Sequence, residues 1–353
     1  MMRTNNLIFV LLMVYLFFFT GCAEVTVARI ERSNIDIAWP RPPLKAKIKF
    51  IGSISRIQET GLSEEKGFLA KSWEKITGMD IEDYRFLAPY GVSVDEDGTL
   101  YVVDRDKAEI VVINIDTGIT SVFSAFPDDR SGFSEESDYP LGIAVAENLY
   151  VTYPKSGKVR VFSREGLFKK EFGEASGLER PTGVAVNIQE DRLYIVDTTK
   201  HNIKVFNLKG DFISSFGKRG MKEGEFNYPT HIFAGNDGTI YITDEMNFRV
   251  QTLSKTGEFL STVGEVGQVL GTFQSPKGVA TDSNGNIYVA DAMADHIQVF
   301  NKQGALLIAF GENGYGYGQF GGPAGMFIDK KDQLYIADLY NQRIQIFKYV
   351  GSQ

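Results

Sequence analysis

The chain has three histidines, His201, His231 and His296. Imidazoles are the commonest transition-metal ligands and the usual acid-base groups near neutral pH. His231 follows Pro229-Thr230 at a position where five comparable stretches have Gly91, Gly142, Gly183, Gly278 and Gly325. If those stretches surround a channel, an imidazole there projects at its mouth. His201 and His296 fall in turns further along their own stretches and flank His231 on the same side. Neighbouring strands lie about 4.8 Å apart, which sets those turns on the order of 10 Å further from the axis than His231. That distance argues against a three-histidine metal centre, and no metal or cofactor is expected. His231 by itself remains a candidate ligand contact. The chain contains no nucleophile elbow, phosphate loop or HExxH motif.

Other chemistry-bearing residues recur instead of standing alone. Asp104, Asp197, Asp244, Asp291 and Asp338 occupy one register, and in one further stretch Tyr153 takes that place. A residue repeated in five units serves each alike, so these carboxylates are expected to hold turns by accepting backbone N–H and arginine hydrogen bonds. Arg249 and Arg343 stand beside two of them and are candidates for the ligand face as well. Tyr315 and Tyr317, in the run Gly314-Tyr315-Gly316-Tyr317-Gly318, add aromatic groups to that face, and Asp128, Asp129, Glu135, Glu136 and Asp138 add an acidic loop.

The elements that position these residues repeat. Pro89, Pro140, Pro181, Pro229, Pro276 and Pro323 each open an alternating apolar run, followed by a polar turn, a run containing Tyr, and a third run. In the fifth unit, Ile287-Tyr288-Val289-Ala290-Asp291 and His296-Ile297-Gln298-Val299-Phe300 are strands bounded by Asn, Gly and Asp, with a fourth ending at Phe310. Each unit is therefore a four-stranded antiparallel sheet. Such a sheet cannot bury both faces alone, and stacking the units around an axis solves this. The fold class is all-β, a six-bladed propeller. The sixth unit stops near Val350 without its fourth strand, and Ile48-Lys49-Phe50-Ile51-Gly52 has the composition to supply it and close the ring. A short helix is expected over 63–78, with Ser63 as its cap and Gly78 as its stop.

This pattern of Pro, Gly, Tyr-containing run and Asp resembles the NHL repeat over residues 89–350, most fully at Asp244, Asn247 and Arg249 and at Asp338, Asn341 and Arg343. The resemblance implies a propeller. One enzyme of that family, the peptidyl-hydroxyglycine lyase, binds zinc through histidines beside the repeat proline. The residues at those positions here are Tyr90, Leu141, Thr182, Thr230, Lys277 and Ala324, so that site does not carry over.

Residues 1–21 combine Arg3, an apolar run from Leu7 to Phe19, and Thr20-Gly21 before Cys22, the only cysteine. This reads as a secretory signal peptide, and the run is too short to span a bilayer comfortably. The Phe19-Thr20-Gly21-Cys22 run resembles a bacterial lipobox, which implies lipidation at Cys22 and a membrane anchor in the cell envelope. Residues 22–45, with Trp39-Pro40-Arg41-Pro42-Pro43, are expected to be an extended tether, leaving 46–353 for the propeller. The net charge of -8 and the lack of any basic block count against a nucleic-acid partner. The sequence thus points to a membrane-anchored binding or scaffold module for an envelope protein, peptide or glycan, met on the loop face. A metal-assisted lyase or hydrolase at the channel mouth is the alternative.

Overall fold

The computed structural model describes residues 26–28, 30–31, 33, 36–41, 43–59, 83–127, 138–235 and 237–351. Six antiparallel sheets follow one another around an axis, with innermost strands Pro89–Val94, Ile143–Val145, Pro181–Asn187, Pro229–Ala234, Pro276–Thr281 and Pro323–Ile328. They are numbered as blades 1 to 6. Burial explains the reading of each strand. Second strands such as Ile287–Asp291 are buried along their whole length between neighbouring blades, so their sequences are continuous apolar runs. Outer strands such as Phe168–Phe172 face solvent over most of theirs and carry Lys and Glu.

Each of the six blade-to-blade interfaces has its own apolar core. The one joining blade 6 to blade 1 contains Tyr335 and Ile344 from one side and Val92 and Leu100 from the other, so the ring is closed. Closure is by a borrowed strand. Ile48–Ile54 pairs antiparallel with Arg343–Tyr349, in a register running from Ile344↔Ile54 to Tyr349↔Ile48. The outer edge of blade 6 is therefore supplied from the N-terminal side.

Residues expected to form a tether are in part packed onto the ring. Thr26–Ala28 pairs with Arg56–Glu59, which also pairs with Asp83–Arg85, in a separate three-stranded sheet. Ala38–Trp39 adds a fifth strand to blade 6. The Trp39 ring lies 5.6 Å from Phe310 and 5.9 Å from Phe347, and burying an indole outweighs the extended preference of the prolines that follow it. Gly318 makes room for it: its φ is +76°, and a Cβ there would sit 2.4 Å from the indole. Among the described residues the only helical elements are single 3-10 turns at Glu174–Ser176 and Glu245–Asn247. The helix expected over 63–78, Cys22, and the acidic residues Asp128, Asp129, Glu135 and Glu136 lie outside the described residues.

Candidate functional site

The antiparallel order gives the ring two unlike faces. Innermost strands begin, and second strands end, on an upper face that also holds the incoming loops from the preceding blade. Turns between first and second strands, and between third and fourth, form the lower face.

On the upper face the repeated carboxylates tie incoming loops to blades. Asp104 accepts the backbone N–H groups of Leu87 and Ala88, each at 2.9 Å, and the Tyr84 hydroxyl at 3.0 Å. Asp197 accepts those of Glu179 and Arg180, and Asp291 those of Gln274 and Ser275. Asp244 accepts the Asn227 amide at 2.6 Å and the Arg249 Nε at 2.8 Å; Asp338 accepts the Gly321 amide at 2.7 Å and the Arg343 Nε at 2.8 Å. Burial pushes the Asp244 and Asp338 carboxyls up in pKa, while these amides and guanidinium groups pull them down. Arg249 also donates to the Lys222 and Glu225 carbonyls, and Arg343 to those of Tyr315, Gly316 and Gln319. Both guanidinium groups are thus engaged in shaping loops.

A second repeated device has the same job. Gln251, Gln298 and Gln345 each accept a loop amide, from Gly224, Gly271 and Gly318, and donate to the next residue's carbonyl. Their even spacing of 47 is the sequence signal that could have revealed them. In blade 2 the Asp register is taken by Tyr153, whose buried hydroxyl donates to the Ala125 carbonyl while the Arg160 guanidinium lies 4.0 Å over its ring. Asp138 of the acidic loop faces Arg160 at 3.8 Å.

The histidines are not brought together. His201 is buried at the backbone position just before the third strand, a left-handed position that Ala108, Gly157, Phe248, Asp295 and Gln342 fill in the other blades. Its Nδ1 accepts the Tyr228 N–H at 3.0 Å, and burial followed by the Arg219 charge lowers its pKa. The His296 Nδ1 lies 3.1 Å from the Ala294 carbonyl. Among the described residues no three His, Cys, Asp or Glu side chains are grouped so as to hold a metal.

His231 is placed differently. Its ring reaches across the channel from blade 4 and stacks on Tyr90 of blade 1, the blade opposite, with centroids 5.6 Å apart and planes inclined by 27°. Burial, and then the Lys277 cation beside it, push its pKa down to about 3, so the imidazole is neutral near pH 7. Lys277 itself donates to Glu245. Around this stack the glycine register draws the innermost strands together. A Cβ on Gly142 would lie 2.3 Å from the Thr182 carbonyl oxygen, and one on Gly325 would lie 2.2 Å from that of Tyr90. Only a void of about 50 Å³ remains at this end of the channel. The sequence signal for Tyr90 is that it is the one aromatic among the residues that follow the repeat prolines.

Apart from this plug, the upper face carries exposed apolar side chains. Met221, Val266, Val269, Leu270 and Tyr315 come from incoming loops of blades 4 to 6, and Met246, Met293 and Tyr340 from second-to-third strand turns of the same blades. Tyr315 is 86% exposed and Met221 77%. Tyr317, by contrast, stacks on Phe50 of the closing strand at 5.1 Å, and its hydroxyl lies 3.4 Å from Glu31.

The lower face opens into a funnel of about 580 Å³ along the axis. Its wall includes Val94, Val145, Val186, Ile232, Phe233 and Ile328. Turn aspartates shape the rim: Asp95, Asp282 and Asp329 each accept two turn amides and the hydroxyl of a tyrosine six residues on, Tyr101, Tyr288 or Tyr335.

Comparison with known proteins agrees with this architecture. Residues 273–300 and 320–347 match the NHL repeat, and residues 182–278 match a family described as a 6-bladed beta-propeller. Blades 5 and 6 carry NHL repeats. A stretch of 84 residues, 23% of this chain, is 31% identical to the Protein brain tumor of Drosophila melanogaster and spans 8% of the fly protein. Among solved structures, a streptogramin B lyase superposes with a TM-score of 0.55 at 15% identity, covering 75% of this chain and 94% of the lyase. An auxiliary nutrient binding protein from Bacteroides thetaiotaomicron does so with a TM-score of 0.56 at 16% identity, covering 75% of this chain and 70% of its own. At such identities the likeness is one of fold.

Proposed function

We propose that this NHL propeller is a lipid-anchored binding module of the bacterial cell envelope that docks a protein partner on its upper face. One observation carries the reading. Nine large apolar side chains on the incoming loops and turns of blades 4 to 6, the eight named above and Tyr228, face solvent on one side of the ring. Soluble proteins seldom leave so many on one face unless something covers them, and rigid loops on a packed scaffold are the usual place for recognition. Each loop is pinned by its Asp and, in these blades, by a Gln, so the surface is pre-shaped. Met and Tyr favour a protein over a glycan, because they give contact area without requiring a lattice of polar partners. What supports the anchor is the signal-peptide pattern of residues 1–21 and the lipobox-like run that ends at Cys22. The nutrient-binding propeller offers a precedent of fold for a binding role.

The test uses the full-length lipidated chain in cells, with a photo-crosslinking amino acid at position 293 or 340 on the upper face, or at 188 on the lower. A discrete adduct with one envelope protein from 293 and 340, absent from 188 and lost in a Met221→Asp background, is expected. Equal labelling from all three positions, or none, overturns the docking face. Retention of Cys22→Ser protein in the membrane fraction would overturn the anchor.

A further inference from the structure

We propose that the lower-face funnel is a separate binding site for a small organic cation, an amine or quaternary ammonium with an apolar or aromatic body. At about 580 Å³ it has the size of pockets that enclose small ligands. It is blind, because the His231-Tyr90 stack and the glycine contacts close the channel at the far end. A ligand therefore enters and leaves by the lower mouth.

The wall breaks the repeat in a way that favours a cation. Four residues after each repeat proline the chain has Ser93, Ala144, Ala185 and Ala280, but Phe233 in blade 4 and Phe327 in blade 6. These two rings meet edge to face over blade 5, with centroids 5.9 Å apart, and Phe233 lies 6.5 Å from Tyr241. Three aromatic rings thus gather on one side of an otherwise aliphatic funnel. Ring faces attract ammonium groups, most strongly where water is scarce.

The charges at the mouth agree. Six carboxylates, of Asp95, Glu96, Asp237, Asp282, Asp329 and Asp332, line it against three cations, Arg164, Lys302 and Lys330. Arg164 is paired with Asp95 at 3.3 Å and Lys330 with Glu96 at 2.7 Å. What remains is Lys302 against four aspartates, a negative field focused by low-dielectric walls. Such a mouth attracts ammonium ions and repels carboxylates and phosphates. Asp237 lies nearest the aromatic group in sequence, four residues before Tyr241, and its charge helps raise that phenol's pKa to about 12, after burial.

The experiment is calorimetric titration of the mature chain with benzyltrimethylammonium, the neutral 2-phenylethanol and the anion 3-phenylpropionate. Saturable one-site binding of the ammonium is expected, about tenfold tighter than the alcohol, with the anion weakest. Raising the salt concentration weakens only the ammonium. Asp237→Asn, which preserves shape, lowers ammonium affinity about threefold and leaves the alcohol unchanged; Phe233→Ala weakens both. Tyr340→Asp, on the upper face, changes neither. Equal binding of the three probes, no binding by any, or an unchanged ammonium affinity in Asp237→Asn would overturn the proposal.

Discussion

The His231-Tyr90 plug makes stability depend on pH in a defined direction. An unfolded histidine titrates near about 6.5, whereas the His231 imidazole is held down to about 3 by burial and by Lys277. Between those values the unfolded chain binds a proton that the folded chain refuses. Stability is therefore fully present above about pH 6.5 and falls as the pH drops toward 3. At pH 5 the fully desolvated limit is about 2 kcal/mol. The ring is only half-buried by surface exposure, so solvent screening reduces this to about 1–2 kcal/mol. His231→Phe keeps an aromatic partner for Tyr90 and removes the titration. Urea unfolding of both proteins at pH 8 and pH 5 gives four stabilities whose double difference isolates this ring, since His201 is common to all. The wild type should lose about 1–2 kcal/mol more than His231→Phe on going from pH 8 to 5. Identical losses, with matched denaturant slopes, would refute the placement of a neutral imidazole across the channel.

Further expectations concern the ring itself. Asp338→Ala leaves the Arg343 guanidinium, buried against three loop carbonyls, without its carboxylate, and should cost about 3–5 kcal/mol in urea unfolding; Asp338→Asn should cost less. Gly142→Ala drives a methyl group onto the Thr182 carbonyl of the next blade and should lower stability by about 1–3 kcal/mol in the same assay. Trp39→Ala empties the space beside Phe310 and Phe347 and should cost about 3 kcal/mol. A loss near zero would show that the segment before Ile48 is indeed a free tether.

Much of the fold was legible because it is periodic. The prolines, the Tyr-containing second strands and the Asp register recur, so each unit corroborates the others, and the missing fourth strand of the last unit could be matched to Ile48-Lys49-Phe50-Ile51-Gly52. Contacts across the ring were not legible. Nothing near His231 in the chain indicates that its ring will lie on Tyr90, which is 141 positions away and joined to it only by the six-fold geometry. The prolines after Trp39 predict an extended tether, whereas its position is decided by Phe310 and Phe347. The lower funnel is not legible because Phe233 and Phe327 break the register two positions after the Gly register with residues that look like ordinary core.

The borrowed strand imposes an order of events. Ile54 pairs with Ile344, 290 positions later, so during synthesis Ile48–Ile54 must wait for the first five blades and most of the sixth before it finds its hydrogen-bonding partner. Until then both it and the first blade offer unsatisfied edges, and no partial product can seal itself. A chain cut short anywhere before Arg343 is left as an open arc instead of a smaller circle, so the third strand of blade 6 acts as a checkpoint on completeness of the ring.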